Sequence, residues 1–189
     1  MLNSISIFCG SSAGTNPIYQ KAAQQVGHFF ANHNIQLVYG AGNVGLMGVI
    51  ADAVLEKGGY VIGVIPDFLK AKEVYHTEIQ ECHVTETMHE RKKMMADLSE
   101  GVIAMPGGFG TLDELFDMLT LGQLQRHNYP IGILNVNGYY DHLLKQLKFM
   151  VAEGFVRQSN IDSLLVANNI ETLITKMNAY APDTNDKWI

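Results

Sequence analysis

The chain has 189 residues, 47% hydrophobic and 17% charged, which suits one sizeable core and argues against wholesale disorder. A formal net charge of −6 argues against a nucleic-acid polymer as partner, since such binding rests on clustered Lys and Arg, but leaves room for a small phosphorylated ligand. Cys9 and Cys82 are far apart and lack metal-ligand spacing, no apolar run reaches the roughly 18–20 residues of a membrane span, and the first residues carry no basic leader, so a cytoplasmic protein without membrane attachment is expected.

In chain order, short β-branched runs alternate with helical stretches. "SISIFCG" (4–10) reads as a first strand, and "NPIYQKAAQQVGHFFANHN" (16–34) as a helix capped by Asn16 with Pro17 at its first position. "IQLVYG" (35–40) is a second strand, "GLMGVIADAVLEKGG" (45–59) a second helix ending at paired glycines, and "YVIGVIP" (60–66) a third strand. "TEIQECHV" (77–84) is read as a fourth strand and "TMHERKKMMADLSE" (87–100) as a helix. "GVIAMPGG" (101–108), "TLDELFDMLTLGQLQRH" (111–127) and "PIGILNV" (130–136) continue the alternation. Helices over 139–155 and 170–180, with a short strand at "SLLVAN" (163–168), complete it. This order predicts an α/β class: one doubly wound domain over residues 1–180, with a mostly parallel sheet and helices on both faces, and a polar tail over 181–189.

In such folds ligands bind beyond the carboxyl ends of the strands. That rule selects "CGSSAG", "YGAGNVG", "IPDFLK" and "MPGGFGT". "GAGNVG" (Gly40, Gly42, Gly45) matches G-x-G-x-x-G, with Asp67 near the distance of a ribose-binding acid. It follows the second strand rather than the first, however, and glycines there also serve tight turns; Asp67 is equally a helix cap. "PGGFGT" (106–111) is a stronger anion signal, because glycines let backbone amides converge and the following helix adds its positive end. Thr111 and Glu114 also fit a T-x-x-E capping box, in which Glu114 merely caps its own helix. Thr87 and Glu90 repeat that spacing, which puts Arg91 and Lys92 near a helix N-terminus, against the dipole. Such a broken local rule marks either a functional site or a solvated basic face.

"CGSS", "VYGAGNVGLMG", "MHERK" and "PGGFGTLDE", in this order and spacing, resemble the LONELY GUY family of cytokinin riboside 5′-monophosphate phosphoribohydrolases, and the likeness extends through "GILNVNGYYDHLL" and "EGF" over about residues 4–155. The resemblance implies a Rossmann-like homodimer that hydrolyses the N-glycosidic bond of a purine nucleoside 5′-monophosphate to the free base, adenine or an N6-substituted adenine, and ribose 5-phosphate. No cofactor and no metal are implied, and the histidines show no metal spacing. The catalytic pair implied is Arg91 and Glu114. The nucleotide contacts implied fall on Glu73, Arg91, Lys92, the glycine run Gly107, Gly108, Phe109, Gly110, then Thr111, Leu112, Asp113, Glu114 and Thr120; Ser12, Gly42 and Met88 are further candidates. The chain departs from the family pattern at Ala41, where a glycine is common, and at Asp113, where a Glu is usual.

Cleaving a ribosyl C–N bond builds positive charge on the sugar, which a carboxylate beside the anomeric carbon stabilises while orienting the attacking water. Glu114, about one turn below the phosphate end, suits that place. Arg91 either pairs with Glu114, favouring its ionised form, or contacts phosphate or ribose. Met88, Met94 and Met95 read as core or dimer contacts, and the apolar face of "LFDMLTLGQL" fits a helix that pairs with its twin across a two-fold axis. A competing reading is a non-catalytic carrier of a nucleotide or phospho-cofactor on the same scaffold. A carrier has no need of the Arg91 and Glu114 pair.

Overall fold

A computed structural model describes residues 1–70 and 75–182. Its strands are β1 (Ser4–Phe8), β2 (Gln36–Tyr39), β3 (Val61–Pro66), β4 (Glu81–Thr85), β5 (Val102–Ala104), β6 (Ile131–Leu134) and β7 (Leu164–Ala167). The helices are α1 (Ile18–Asn32), α2 (Gly45–Glu56), α3 (Asp67–Lys70), α4 (Met88–Asp97), α5 (Phe109–Gln123), α6 (Asp141–Ala152), α7 (Gln158–Asp162) and α8 (Ile170–Asn178), with a short 3-10 turn over Val136–Gly138. The strands form one sheet in the order β4-β3-β2-β1-β5-β6-β7, every pair parallel. This is a Rossmann-like, doubly wound arrangement, and the chain reverses direction across the sheet between β1 and β5.

The central strands are buried on both faces, as a parallel sheet demands. Every residue of β1, β3, β5 and β6 is buried. Edge strand β4 alternates instead and carries Glu81 and His83, which suit a half-solvated edge. One core packs α1, α2 and α8 through Phe30, Ile50 and Leu173; the other packs α4, α5 and α6 through Met95, Leu115, Met118 and Leu147.

Helix starts follow local chemistry. Asn16 Oδ1 accepts from the Ile18 N–H at 3.0 Å, and Pro17 already has helical dihedrals, so the expected cap operates. Thr87 Oγ1 accepts from the Glu90 N–H at 3.1 Å, while Glu90 reaches back to the Glu86 N–H at 2.9 Å. Most elements are shorter than the sequence expectation, as with β1 (Ser4–Phe8), β5 (Val102–Ala104) and α4 (Met88–Asp97), and two boundaries bear on the site. The fourth strand covers only Glu81–Thr85, since residues 77–80 turn. Helix α5 opens at Phe109, two residues before Thr111. Gly108 is its N-cap with extended dihedrals, so Phe109 and Gly110 belong to the first helical turn rather than to a loop.

Candidate active site

The loops after β1 and β5 meet where the sheet reverses, and the loop after β2 closes on them. The Gly10 N–H donates to the Pro106 carbonyl at 3.1 Å, and the Leu46 N–H donates to the Gly10 carbonyl at 3.0 Å. Such contact needs bare backbone. A Cβ on Gly45, which has φ +65°, would lie 2.3 Å from the Ser11 carbonyl. Those contacts account for Gly45 without a dinucleotide. Asp67 opens the short helix α3, so it serves a helix start.

Arg91 is 7% exposed. Its Nε donates to the Val64 carbonyl at 3.1 Å and its Nη2 to the Gly40 carbonyl at 3.4 Å, while Nη1 lies 3.9 Å from the Met88 sulfur. Carbonyls at the ends of β2 and β3 thus seat the buried cation, and two of its five N–H donors remain for a ligand. Gly40 is part of that seat, because a Cβ there would lie 1.9 Å from Nη2. The Thr87 cap sets the phase of α4 that turns Arg91 inward.

Glu114 is 8% exposed and stands in the second turn of α5. Since α5 begins at Phe109, Glu114 is too deep in the helix to cap it, and the capping-box reading is set aside for this residue. Burial first, and the Glu114 carboxylate second, push the Cys9 thiol above its ordinary range, so the carboxylate acts at the end of β1. Around Glu114 the first turn of α5 offers donors. The N–H groups of Gly108, Phe109, Gly110 and Thr111 have no acceptor among the described residues, as expected for the start of a helix. Thr111, 3% exposed, packs its hydroxyl where a Cβ on Gly107 would fall, 2.1 Å away.

One cavity is lined by Arg91, Glu114, Met88, Gly108, Phe109, Gly110 and Thr111, together with Ile7, Cys9, Gly10, Ser11, Gly40, Met47 and Met95. Phe109 is 93% exposed at its mouth. The other expected residues lie elsewhere. Gly107 packs behind Thr111, Leu112 and Asp113 line a separate hollow with Thr120, and Gly42 and Ser12 lie in the loops after β2 and β1 without lining the cavity. Lys92 bridges Asp113 at 3.2 Å and Asp117 at 3.1 Å on α5. Burial alone would lower the Lys92 ammonium, but hydrogen bonds to Asp117 and Asp113 outweigh it and raise its pKa. Thr120, three turns along α5, lines two other cavities. Glu73 lies outside the described residues. Sequence reasoning did not assign Gly40, Met47 and Met95 to the cavity. Gly40 carried a signal in its glycine motif, but that motif pointed to a dinucleotide instead of an arginine seat.

Comparisons with known proteins bear on this arrangement. The family model described as "Possible lysine decarboxylase" matches residues 47–177. The cytokinin riboside 5′-monophosphate phosphoribohydrolase LOG3 of Arabidopsis thaliana is 42% identical over 178 residues, 94% of this chain and 83% of that protein. A probable enzyme of the same name from Oryza sativa subsp. japonica, LOGL2, is 44% identical over 178 residues, 94% of this chain and 73% of that protein. Among solved structures, the molybdenum cofactor binding protein of Rippkaea orientalis superposes with a TM-score of 0.69 at 23% identity, covering 95% of this chain and 97% of that one, a likeness of fold alone. The extent of these sequence matches establishes that the chain belongs to the LONELY GUY family of cytokinin riboside 5′-monophosphate phosphoribohydrolases, the family formerly called lysine decarboxylase-like.

Proposed function

We propose that the protein hydrolyses the N-glycosidic bond of purine nucleoside 5′-monophosphates, including cytokinin nucleotides, releasing the free base and ribose 5-phosphate. One observation carries this reading: a buried arginine and a buried carboxylate share a cavity with the unbonded amides of a helix N-terminus. The amides of Gly108 to Thr111 and the Thr111 hydroxyl suit a phosphate dianion. Glu114, further down the same helix, then faces the ribose. As the C–N bond breaks and its electron pair leaves with the base, the carboxylate stabilises the cationic sugar and aligns the water whose oxygen forms the new bond at the anomeric carbon, and the proton that water sheds balances the one the departing base takes up. Arg91 supplies fixed positive charge where the phosphate and the departing electron pair concentrate negative charge. A carrier protein needs the phosphate cradle but not Glu114, and only fold likeness speaks for that reading.

Residues 1–180 are taken as the catalytic domain; the proposed tail falls mostly on residues outside the described ones. We place the protein in the cytoplasm because both cysteines are free, and no helix among the described residues is long and apolar enough to cross a membrane. It is proposed to act as a homodimer through α5 and α6.

The purified protein, incubated with AMP and with N6-isopentenyl-AMP, is expected to release base and ribose 5-phosphate in equal amounts, measured by chromatography. Glu114→Gln and Arg91→Ala should each slow turnover by at least about 100-fold. Binding of both nucleotides without release of base would replace the hydrolase with a carrier.

A further inference from the structure

The stretch Asn135-Val136-Asn137-Gly138-Tyr139-Tyr140 belongs to none of the cavity walls described for Arg91 and Glu114, yet it is the most elaborately bonded turn near them. Asn137 and Gly138 both adopt left-handed dihedrals, with φ +52° and +69°. Two such residues in a row reverse the chain so that both tyrosines point back at the loop after β5. Asn135, 7% exposed, locks the turn: its Oδ1 accepts from the Tyr140 N–H and its Nδ2 donates to Asp141 Oδ1, both at 2.8 Å. The Tyr139 ring stands edge-on to Tyr140 and to Tyr19 of α1, with centroids 5.0 and 5.7 Å apart.

Both hydroxyls end on carbonyls of the glycine loop. Tyr140 donates to Met105 O and Tyr139 to Gly107 O, each at 2.6 Å. Between them, Pro106 O accepts from the Gly10 N–H. Three successive carbonyls are therefore held by donors from outside the loop. In a trans peptide the C=O and the next N–H point in opposite directions, and no cis bond occurs among the described residues. The hydroxyl that pulls Gly107 O toward Tyr139 thus turns the Gly108 N–H away from Tyr139. Tyr139 does not line the cavity, whereas Gly108 does. A glycine pair has little intrinsic preference for one peptide orientation, so an external hold is what fixes this one.

We propose that Tyr139 and Tyr140 are positioning residues for the phosphate end of the site: by pinning Gly107 O, Tyr139 aims the Gly108 amide at the phosphate monoester, and Tyr140, by pinning Met105 O, anchors the start of the loop from which that peptide hangs. This rests on the proposed hydrolase reading, in which that helix end takes the 5′-phosphate. The role is one of preorganisation, and removing the hydroxyl should weaken affinity for the phosphate without touching the carboxylate that does chemistry.

The test is calorimetric titration of ribose 5-phosphate and of adenosine into the wild type, Tyr139→Phe, Tyr140→Phe and Tyr129→Phe, with steady-state kinetics on AMP. The two site variants should lose about fivefold to tenfold in ribose 5-phosphate affinity, the effect of one hydrogen bond, with a matching rise in KM for AMP and kcat within about twofold. Adenosine affinity should stay near wild type, the melting temperature should fall by only a few degrees, more in Tyr140→Phe because Met105 O is buried, and Tyr129→Phe should change nothing. Wild-type ribose 5-phosphate affinity in Tyr139→Phe would overturn the proposal, as would an equal loss of adenosine affinity, which signals general distortion. Failure of the wild type itself to bind ribose 5-phosphate would instead remove the phosphate cradle from the hydrolase reading.

Discussion

At the scale of single residues, the three glycines of "GAGNVG" do three different jobs, and substitution should separate them. A Cβ on Gly45 would meet main-chain atoms of Ser11 and Ser12 at 2.3–2.6 Å with φ at +65°, and backbone cannot step aside. Gly45→Ala is expected to be the most destabilising of the three, by about 2–4 kcal/mol, read as a lowered urea midpoint. A Cβ on Gly40 meets the Arg91 guanidinium at 1.9 Å, the far end of a side chain that can swing away. Gly40→Ala should therefore remain folded but lose about 100-fold in kcat, approaching Arg91→Ala. On Gly42 the nearest atom is the flexible Met47 methyl at 2.7 Å, and Gly42→Ala should be mild in both assays. Wild-type turnover in Gly40→Ala would sink the idea that the Gly40 carbonyl and its open face seat the arginine. None of this was legible in the motif, because Gly40 and Arg91 are 51 positions apart and nothing local records their meeting.

At the scale of elements, alternation of strands and helices was legible because the strands are short runs rich in Ile, Val and Leu, even with Ser4 and Ser6 in β1, and because α2 stops at paired glycines. Helices α3 and α7, with four and five residues, are too short to show a 3.6-residue period. The start of α5 was read two residues late, because glycines count as loop residues in a sequence but here occupy the N-cap and first turn. That shift decides the role of Glu114: position alone left it between a cap and a buried acid, and its depth in the helix and 8% exposure remove the cap. The pairing of α4 with α5 was equally unreadable. Lys92 joins them through Asp113 and Asp117, so the helices bearing Arg91 and Glu114 are clasped by an ion pair just outside the cavity. The aspartates are 63% and 34% exposed, so screening limits each contact to about 1 kcal/mol or less. Lys92→Ala should lower the melting temperature by about 2–4 °C. It should also reduce kcat more than it raises KM, because the spacing of Arg91 and Glu114 loosens while the amide cradle stays. The opposite split, a raised KM with kcat intact, would mean that the ammonium leaves the aspartates to bind phosphate.

At the scale of the molecule, the sheet reversal between β1 and β5 explains why the site forms where it does. The loops after β1 and β5 touch at Gly10 and Pro106 and then lead to helices on opposite faces of the sheet, which leaves the crevice between them. The same architecture leaves one surface unaccounted for within a single chain. Phe116 and Leu124 on and after α5, and Phe149 and Phe155 on and after α6, are 37%, 48%, 57% and 83% exposed. Phe116 lines a hollow between α5 and α6 floored by Leu119, Leu147, Met150 and Leu164, and the other three are exposed on or just after the same two helices. Singly, exposed apolar residues are ordinary; three phenylalanines and a leucine on one helix pair, beside a mostly apolar hollow, are more than a single chain needs. The sequence hinted at this through the excess apolar face of α5, and the contribution of α6 emerges only from packing. In the proposed homodimer the α5–α6 faces of two copies cover each other, which for a stable pair requires roughly 800 Å² from each. Phe149 sits outside both catalytic helices, so Phe149→Asp tests the interface without touching the site. Sedimentation velocity should show the wild type at twice the mass of one chain, and Phe149→Asp shifted to one chain mass at micromolar concentration with its circular dichroism unchanged. A wild type that sediments as a single chain would end the dimer reading and leave this hollow as a surface of the monomer.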